Sequence, residues 1–261
     1  MAFPKMLAAL GVLLMAPFHF RSPGLTNQLP CSEPQGRRDS LYCYHSEVNN
    51  ALSVPYPGLV KSVFLDRDGV VNEKMPEGRY VTRWSEFRVL PGVEEAIGLL
   101  NRAGLRVVVV SNQRGIALEK YTAEDVRAIH AEFQKLLAKE GAHVDGSYFC
   151  PHDKGECNCR KPLPGLFEQV VKDFPEIEAA SSIMIGDSES DIEFGRRLGM
   201  FTIFIDGDPR LEKLGAGVAR ALADKRFSSL YEAVIDLAAT LHERKRLSDS
   251  IAVAPPPPPP R

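Results

Sequence analysis

Residues 61–69 read Lys-Ser-Val-Phe-Leu-Asp-Arg-Asp-Gly (KSVFLDRDG), and this stretch decides the fold. Its apolar run predicts a short buried strand over Lys61–Asp66. Two carboxylates, Asp66 and Asp68, come at the end of that strand, and Gly69 favours a turn. Ligands of parallel sheets bind beyond the carboxyl ends of the strands, so two acids at this position indicate a functional site.

Strand and helix patterns alternate outward from this stretch. The segment Thr122–Glu140, for example, opens with the helix-capping pattern Thr-x-x-Asp and keeps apolar residues at helical spacing. The alternation predicts an α/β fold, a Rossmann-like parallel sheet with helices on both faces. No long insertion follows Asp68 or separates the later motifs, so we expect no large cap domain. The predicted strands are 61–66, 105–110, 145–150, 181–186 and 201–206, and the predicted helices are 91–103, 122–140, 163–174, 191–198 and 228–246.

Three further polar motifs follow predicted strands. Residues 111–113 (Ser-Asn-Gln) supply a hydroxyl and amides that can hold phosphate oxygens. Lys161, in a loop before a helix, can neutralise a phosphoryl group in transfer. Asp187 and Asp191 suit a hard cation such as Mg²⁺. Each motif alone is more often a solvated turn or a helix cap, but all of them in order on strand ends predict metal-assisted phosphoryl transfer.

Four side chains that bind metals fall within ten residues: Cys150, His152, Cys157 and Cys159. Three thiolates and one imidazole form a closed tetrahedral ligand set for Zn²⁺. We therefore predict a structural zinc-binding loop that fixes Arg160, the next residue; the alternative is a set of free thiols on a loop. Because thiolate ligands need reducing conditions, we expect a cytoplasmic location.

Composition narrows the class of partner. The chain has 32 Lys and Arg against 34 Asp and Glu, a formal charge of −2, which argues against a nucleic-acid binder held by a general basic field. We expect a monomer that binds a small phosphorylated metabolite, with no nucleic acid and no membrane as partner. Ser111 and Asn112 are candidates for holding the phosphate. Arg114 and Arg160 are candidates for a second phosphate or for sugar hydroxyls, although a solvated surface charge is an equal alternative for Arg114.

The two ends of the chain differ from its middle. Residues 6–18 (MLAALGVLLMAPF) are an apolar run too short for a bilayer-spanning helix, which needs about 20 residues. We expect residues 1–59 to be a disordered leader or the product of an upstream-extended start codon, with a signal segment as the alternative. Residues 247–261 include six consecutive prolines and are predicted to be a disordered Pro-rich tail. The catalytic domain is then expected at residues 60–246.

The stretches FLDRDG, VVSNQ, RKP and IGDSESD, in this order, resemble the haloacid-dehalogenase-like phosphatase superfamily over roughly residues 61–206. The resemblance implies a phosphomonoester hydrolase in which Asp66 is the nucleophile that forms an aspartyl-phosphate. It implies that Asp68 is the general acid and then the general base, while Ser111 and Lys161 hold the phosphoryl group.

The same resemblance implies a catalytic Mg²⁺. Its ligands would be Asp66, the backbone carbonyl of Asp68, and Asp187, with Asp191 close by as support. A chain that has lost catalysis and only binds phosphate is an alternative from a different class. The presence of all of these acids argues against it.

The cysteine motif narrows the resemblance. CPH…CxCRKP is similar to the subgroup that contains heptose-bisphosphate and histidinol-phosphate phosphatases. The stretches FLDRDGVVN and SNQRGIA favour the heptose branch and imply conversion of heptose 1,7-bisphosphate to the 1-phosphate. The short loop between His152 and Cys157, and Ser188 where heptose enzymes commonly have lysine, depart from that branch. Histidinol phosphate is therefore the alternative substrate, and a polynucleotide 3′-phosphatase is a more distant one.

Overall fold

The computed structural model describes residues 54–212 and 215–252. The predicted leader, apart from its last six residues, and the proline run of the tail lie outside the described residues. Within the described part, Tyr56 is buried and its ring packs in a tilted arrangement against Phe201, with ring centroids 5.0 Å apart, so residues before position 60 also contribute to the core. No helix in this part is long and apolar enough to cross a membrane.

In the described residues six parallel strands, numbered in chain order, form a single sheet in the order β3-β2-β1-β4-β5-β6. The first strand, and the strand it pairs with near residue 182, are buried at every position, as expected where helices cover both faces. The chain runs outward from β1 in both directions, which makes the crevice between β1 and β4 the topological switch point. The strands are β1 (Ser62–Leu65), β2 (Arg106–Asn112), β3 (Gly146–Cys150), β4 (Ser182–Gly186), β5 (Phe201–Ile205) and β6 (Lys225–Phe227).

Among the described residues, six α-helices cover the two faces of this sheet. Successive side chains of β1 point to opposite faces. Val63 and Leu65 belong to the core cluster that includes helices α1, α2 and α6, whereas Phe64 belongs to the cluster of α3 and α4. The helices are α1 (Val93–Arg102), α2 (Ala123–Lys139), α3 (Gly165–Asp173), α4 (Glu189–Leu198), α5 (Ala216–Leu222) and α6 (Leu230–Ala252).

The predicted α/β sheet is confirmed, and no large cap domain interrupts the described residues. At the start of α2, Thr122 and Asp125 form the predicted reciprocal cap. Of these strands and α-helices, α5 and β6 were not predicted. The edge strand β6 has the sequence Lys-Arg-Phe, which contains no apolar run that would predict a strand. Its Arg226 forms an ion pair with Asp206, the residue that follows β5. Helix α6 also continues past its predicted end at residue 246.

Candidate active site

Three buried carboxylates meet at the switch point. Asp66 follows β1 and Asp187 follows β4; because these strands pair side by side, the two residues emerge next to each other. Asp191 comes from the first turn of α4. Their carboxylate oxygens lie within 4.8 Å of one another. The order of the strands thus brings together three acids that lie up to 125 residues apart in sequence.

Gly69 allows the turn after β1 to approach this cluster. Its φ is +103°, a conformation that favours glycine. A Cβ at this position would lie 2.2 Å from Oδ2 of Asp187. A larger residue would therefore push aside the Asp187 carboxylate.

Lys161 is the buried cation of the site. Its Nζ donates to Oδ1 of Asp66 at 2.7 Å and lies 2.6 Å from Oδ1 of Asp191. The side chain of Asn112 brackets the Lys161 backbone: Oδ1 accepts from the Lys161 N–H at 3.0 Å and Nδ2 donates to its carbonyl at 3.1 Å. Burial alone would lower the pKa of Lys161, but Asp191 and Asp66 raise it above its ordinary value. Lys161 therefore stays charged, and Asn112 fixes its backbone.

A second lysine contacts the cluster from the loop after β1. The ammonium of Lys74, on a mostly buried side chain, contacts Oδ2 of Asp187. Sequence analysis missed this residue because it belongs to none of the motifs and its partner lies 113 residues away. Lys74 reaches Asp187 only because the loop after β1 folds over the carboxyl end of β4.

The acid cluster has more negative than positive charge. Burial, the neighbouring Asp191 and, more weakly, Asp187 raise the pKa of Asp66 to about 7, while Lys161 opposes this shift. Carboxylate oxygens are hard ligands of the kind that Mg²⁺ prefers. Three such groups close together, with their charge only partly offset by the lysines, form a donor set that fits a divalent cation.

Asp68 is held apart from this cluster by three donors. Nη2 of Arg67 lies 3.0 Å from both carboxylate oxygens, Nδ2 of Asn72 donates to Oδ1 at 3.0 Å, and Nε2 of Gln113 donates to Oδ2 at 3.1 Å. Burial would raise the pKa of Asp68, but the Arg67 charge and these hydrogen bonds hold it below its ordinary value. The same Gln113 amide donates to Oγ of the buried Ser111 at 3.2 Å. Arg67 and Asn72 were given no role from the sequence, because only the folded turn after β1 brings them to the Asp68 carboxylate.

The four predicted zinc ligands converge at the end of β3. Four of the distances among Sγ of Cys150, Cys157 and Cys159 and Nδ1 of His152 lie between 3.3 and 3.7 Å. Thiolates about 2.3 Å and an imidazole about 2.0 Å from a tetrahedral zinc ion would be about 3.5 to 3.8 Å apart. The ligand types and their spacing therefore fit a structural zinc site.

The two predicted arginines differ in their partners. Arg114 forms a fork with Asp153 of the cysteine loop, with Nε 2.5 Å from Oδ1 and Nη2 3.1 Å from Oδ2. Within the part of the chain that the structure describes, the buried Nη1 of Arg160 has no hydrogen-bond partner. Both arginines line the same cleft.

That cleft opens beside Asp68 and Lys161 and has a volume of about 1080 Å³. Basic side chains outnumber acidic ones along its wall, although the whole chain carries a net negative charge. The excess of basic residues favours anions, and the volume leaves room for more than a single phosphate. The basic residues are Arg67, Lys74, Arg79, Arg114, Lys120, Lys154, Arg160, Lys161 and Arg210, and the acidic residues are Asp68, Glu77, Glu189 and Glu212.

A family model described as haloacid dehalogenase-like hydrolase matches residues 48–199, more than half of the chain. The fold, the strand-end acids and this match show that the chain belongs to the haloacid dehalogenase-like hydrolase family. Within the family it is a phosphatase, the class to which its named relatives belong.

Three relatives are informative. The chain is 36% identical over 183 residues to D-glycero-alpha-D-manno-heptose-1,7-bisphosphate 7-phosphatase of Mycobacterium tuberculosis (strain ATCC 25618 / H37Rv), a match that covers 70% of this chain and 94% of the relative. It is 33% identical over 159 residues to D-glycero-beta-D-manno-heptose-1,7-bisphosphate 7-phosphatase of Neisseria meningitidis serogroup B, a match that covers 60% of this chain and 80% of the relative. The crystal structure of D,D-heptose 1,7-bisphosphate phosphatase from B. bronchiseptica, complexed with magnesium and phosphate, aligns with a TM-score of 0.60 at 28% identity, covering 69% and 99%.

Proposed function

We propose that this phosphatase removes the 7-phosphate from a D-glycero-D-manno-heptose 1,7-bisphosphate and releases the 1-phosphate. The observation that carries the proposal is the basic cleft beside the acid cluster, which offers cations for a second phosphate at a distance from the reacting one. Relatives of this name, of which one spans 70% of the chain, support the same substrate. Histidinol phosphate, the alternative, carries one phosphate and leaves those cations without a function.

In the proposed first step, Asp66 attacks phosphorus and the bond from phosphorus to the sugar oxygen breaks. For this step Asp68 must carry a proton, although the donors around it favour its carboxylate form in the free protein. It gives that proton to the leaving oxygen, so an alcohol departs and an aspartyl-phosphate is left on Asp66. Lys161 and the hydroxyl of Ser111 bind the phosphoryl oxygens and offset their charge. The position of Lys161, 2.7 Å from Asp66, supports this role.

In the second step, Asp68 takes a proton from water, and the water oxygen attacks phosphorus. The bond between phosphorus and Asp66 breaks, which releases inorganic phosphate and restores the carboxylate. Arg67, Asn72 and Gln113 hold Asp68 in one orientation through both steps. Hydrolysis then needs no further residue as acid or base.

We assign Mg²⁺ to the acid cluster, held by Asp66, Asp187 and the backbone carbonyl of Asp68, with Asp191 in support. When bound, the cation supplies charge stabilisation for the phosphoryl oxygens. Asp191 has a second task, since its Oδ2 accepts from the N–H and hydroxyl of Ser188 at the start of α4. These bonds favour a supporting position over direct ligation.

We assign a structural Zn²⁺ to Cys150, His152, Cys157 and Cys159. The loop that it would fold leads directly into Arg160 and Lys161, so the metal would set the position of both. Reduced thiolates are required for this site, which supports a cytoplasmic location.

The proposal is tested by comparing kcat/KM in the presence of Mg²⁺ for the alpha and beta anomers of D-glycero-D-manno-heptose 1,7-bisphosphate and for L-histidinol phosphate. We expect at least a hundredfold preference for one heptose anomer, which corresponds to about 2.7 kcal/mol of transition-state discrimination. Phosphorus NMR of the product should show that the phosphate on C1 is retained. Equal or faster hydrolysis of histidinol phosphate would overturn the proposed substrate.

A further inference from the structure

Tyr121 is a buried tyrosine whose hydroxyl points at the site without touching the reacting groups. It lies in the connection between β2 and α2, and its hydroxyl donates to Oε1 of Gln113 at 2.7 Å. Gly115 makes room for the ring, because a Cβ there would lie 2.1 Å from Cε1 of Tyr121. Burial raises the pKa of Tyr121 to about 12, so the hydroxyl keeps its proton and acts as a donor.

This hydrogen bond fixes which way the Gln113 amide faces. With Oε1 turned to Tyr121, Nε2 faces the opposite side, and its two protons reach Oδ2 of Asp68 at 3.1 Å and Oγ of Ser111 at 3.2 Å. A half-turn of the amide would direct its carbonyl oxygen at the Asp68 carboxylate, where two acceptors repel. Tyr121 favours the productive orientation because only Oε1 can accept its proton.

The amide orientation also sets the direction of the Ser111 hydroxyl. Oγ of Ser111 accepts from Gln113, so its own proton points elsewhere and is free to be donated to a phosphoryl oxygen. If the amide turned over, the hydroxyl would donate to Oε1 instead and would be lost to the phosphate.

We propose that Tyr121 is a positioning residue that, through the Gln113 amide, orients Asp68 and keeps the Ser111 hydroxyl available as a phosphate donor. The inference rests on the roles given to Asp68 and Ser111 in the proposed function. Tyr121 also lines the cleft, but the role proposed here is exerted through the Gln113 amide.

The first experiment compares Tyr121→Phe with Tyr148→Phe, a matched control that removes a hydroxyl bonded to Asp173 away from the cleft. We expect Tyr121→Phe to lower kcat and to weaken binding of inorganic phosphate by about three- to tenfold each, the range for one lost hydrogen bond. The melting temperature should fall further than that of the control variant, because the Tyr121 hydrogen bond is buried and that of Tyr148 is exposed, so activity and binding are measured well below both melting transitions. Unchanged kcat and phosphate affinity would overturn the inference.

The second experiment repeats Tyr121→Phe in a Gln113→Leu background. Because the tyrosine acts through the amide, we expect no additional loss once the amide is gone. The same loss in both backgrounds would show that Tyr121 acts by another route and would overturn the inference. Phosphate binding is measured by calorimetry with Mg²⁺ and inorganic phosphate, so the inference can be tested even if heptose bisphosphate proves not to be the substrate.

Discussion

The acid cluster and the cysteine loop are the two proposed metal-ligand sets, and they are built in opposite ways. The cysteine loop takes all four ligands from ten consecutive residues, Cys150–Cys159. The acid cluster takes Asp66, Asp187 and Asp191 from distant segments and exists only after β1 and β4 have paired. The first set can form locally and organise a loop, whereas the second depends on a complete sheet.

The two sets also differ in how their charges affect the stability of the fold. In the acid cluster, burial and then repulsion from Asp191 and Asp187 raise the pKa of Asp66, and Lys161 offsets this shift only in part. Structural zinc sites, by contrast, contribute directly to folding free energy. We therefore expect the acid cluster to carry the activity and the cysteine loop to contribute stability.

The largest effect is expected for Asp66→Asn. Loss of the nucleophile should reduce kcat by about 10⁴-fold or more, in the range seen when a covalent catalyst is removed. Asparagine keeps an oxygen for Lys161 and removes one repelling charge, so the melting temperature should not fall. Phosphate release and a thermal melt on the same preparation check both. An active variant would contradict the role of Asp66 as the nucleophile. An inactive variant that is also unfolded would contradict the expectation that the acid cluster contributes to activity and not to stability.

The next effect is expected for Cys157→Ser, which removes one of the four proposed zinc ligands. We expect purified variant to lose its zinc and to melt at least about 5 °C lower, because the metal contributes to folding free energy. Catalysis should fall as well, since Arg160 and Lys161 follow this loop. The control is Cys31→Ser, a cysteine far from the cluster in sequence. A variant that melts like wild type would contradict a structural role for the loop.

A smaller effect is expected for Lys74→Met. The ammonium contacts Oδ2 of Asp187, a proposed Mg²⁺ ligand, and must give up that contact when the cation binds. Its removal should tighten Mg²⁺ binding by about tenfold, the equivalent of one charge-assisted hydrogen bond. Calorimetric titration of metal-free protein with Mg²⁺ measures this directly. Lys120→Met, which removes another lysine of the same cleft, is the control, and weaker binding in Lys74→Met would show that the lysine assists the metal.

Features that depend on local sequence could be predicted, whereas features that depend on contacts between distant segments could not. The sheet was predictable because β1, β2 and β4 are apolar runs that end in polar motifs, and the cysteine set was predictable because its spacing is local. Lys74 and Tyr121 were not predictable, since their partners are set by how loops fold over the strand ends. Edge strand β6 was missed for a related reason: hydrogen bonds and ion pairs hold it, with little apolar signal.

Arg114 joins the two regions, and it carries the smallest predicted effect. From the sequence it was a candidate for a second phosphate or for sugar hydroxyls, with a solvated surface charge as an equal alternative. The structure pairs it with Asp153 of the cysteine loop, and this pairing lowers the pKa of that carboxyl to about 2. Both side chains are partly exposed, so the ion pair itself adds little stability. The arginine can therefore exchange Asp153 for the distal phosphate of the substrate.

Under that exchange, two single substitutions have opposite signs. Arg114→Ala should raise KM for the bisphosphate about threefold, the size of one exposed charge contact, while Asp153→Ala should lower KM because it frees the guanidinium. Neither should change kcat, since the reacting phosphate lies at Asp66. Steady-state kinetics with the bisphosphate measure both, and p-nitrophenyl phosphate, which has no second phosphate, is the control substrate. A higher KM in both variants would contradict the exchange. It would show that the ion pair between Arg114 and Asp153 acts only by holding the cysteine loop against the end of β2.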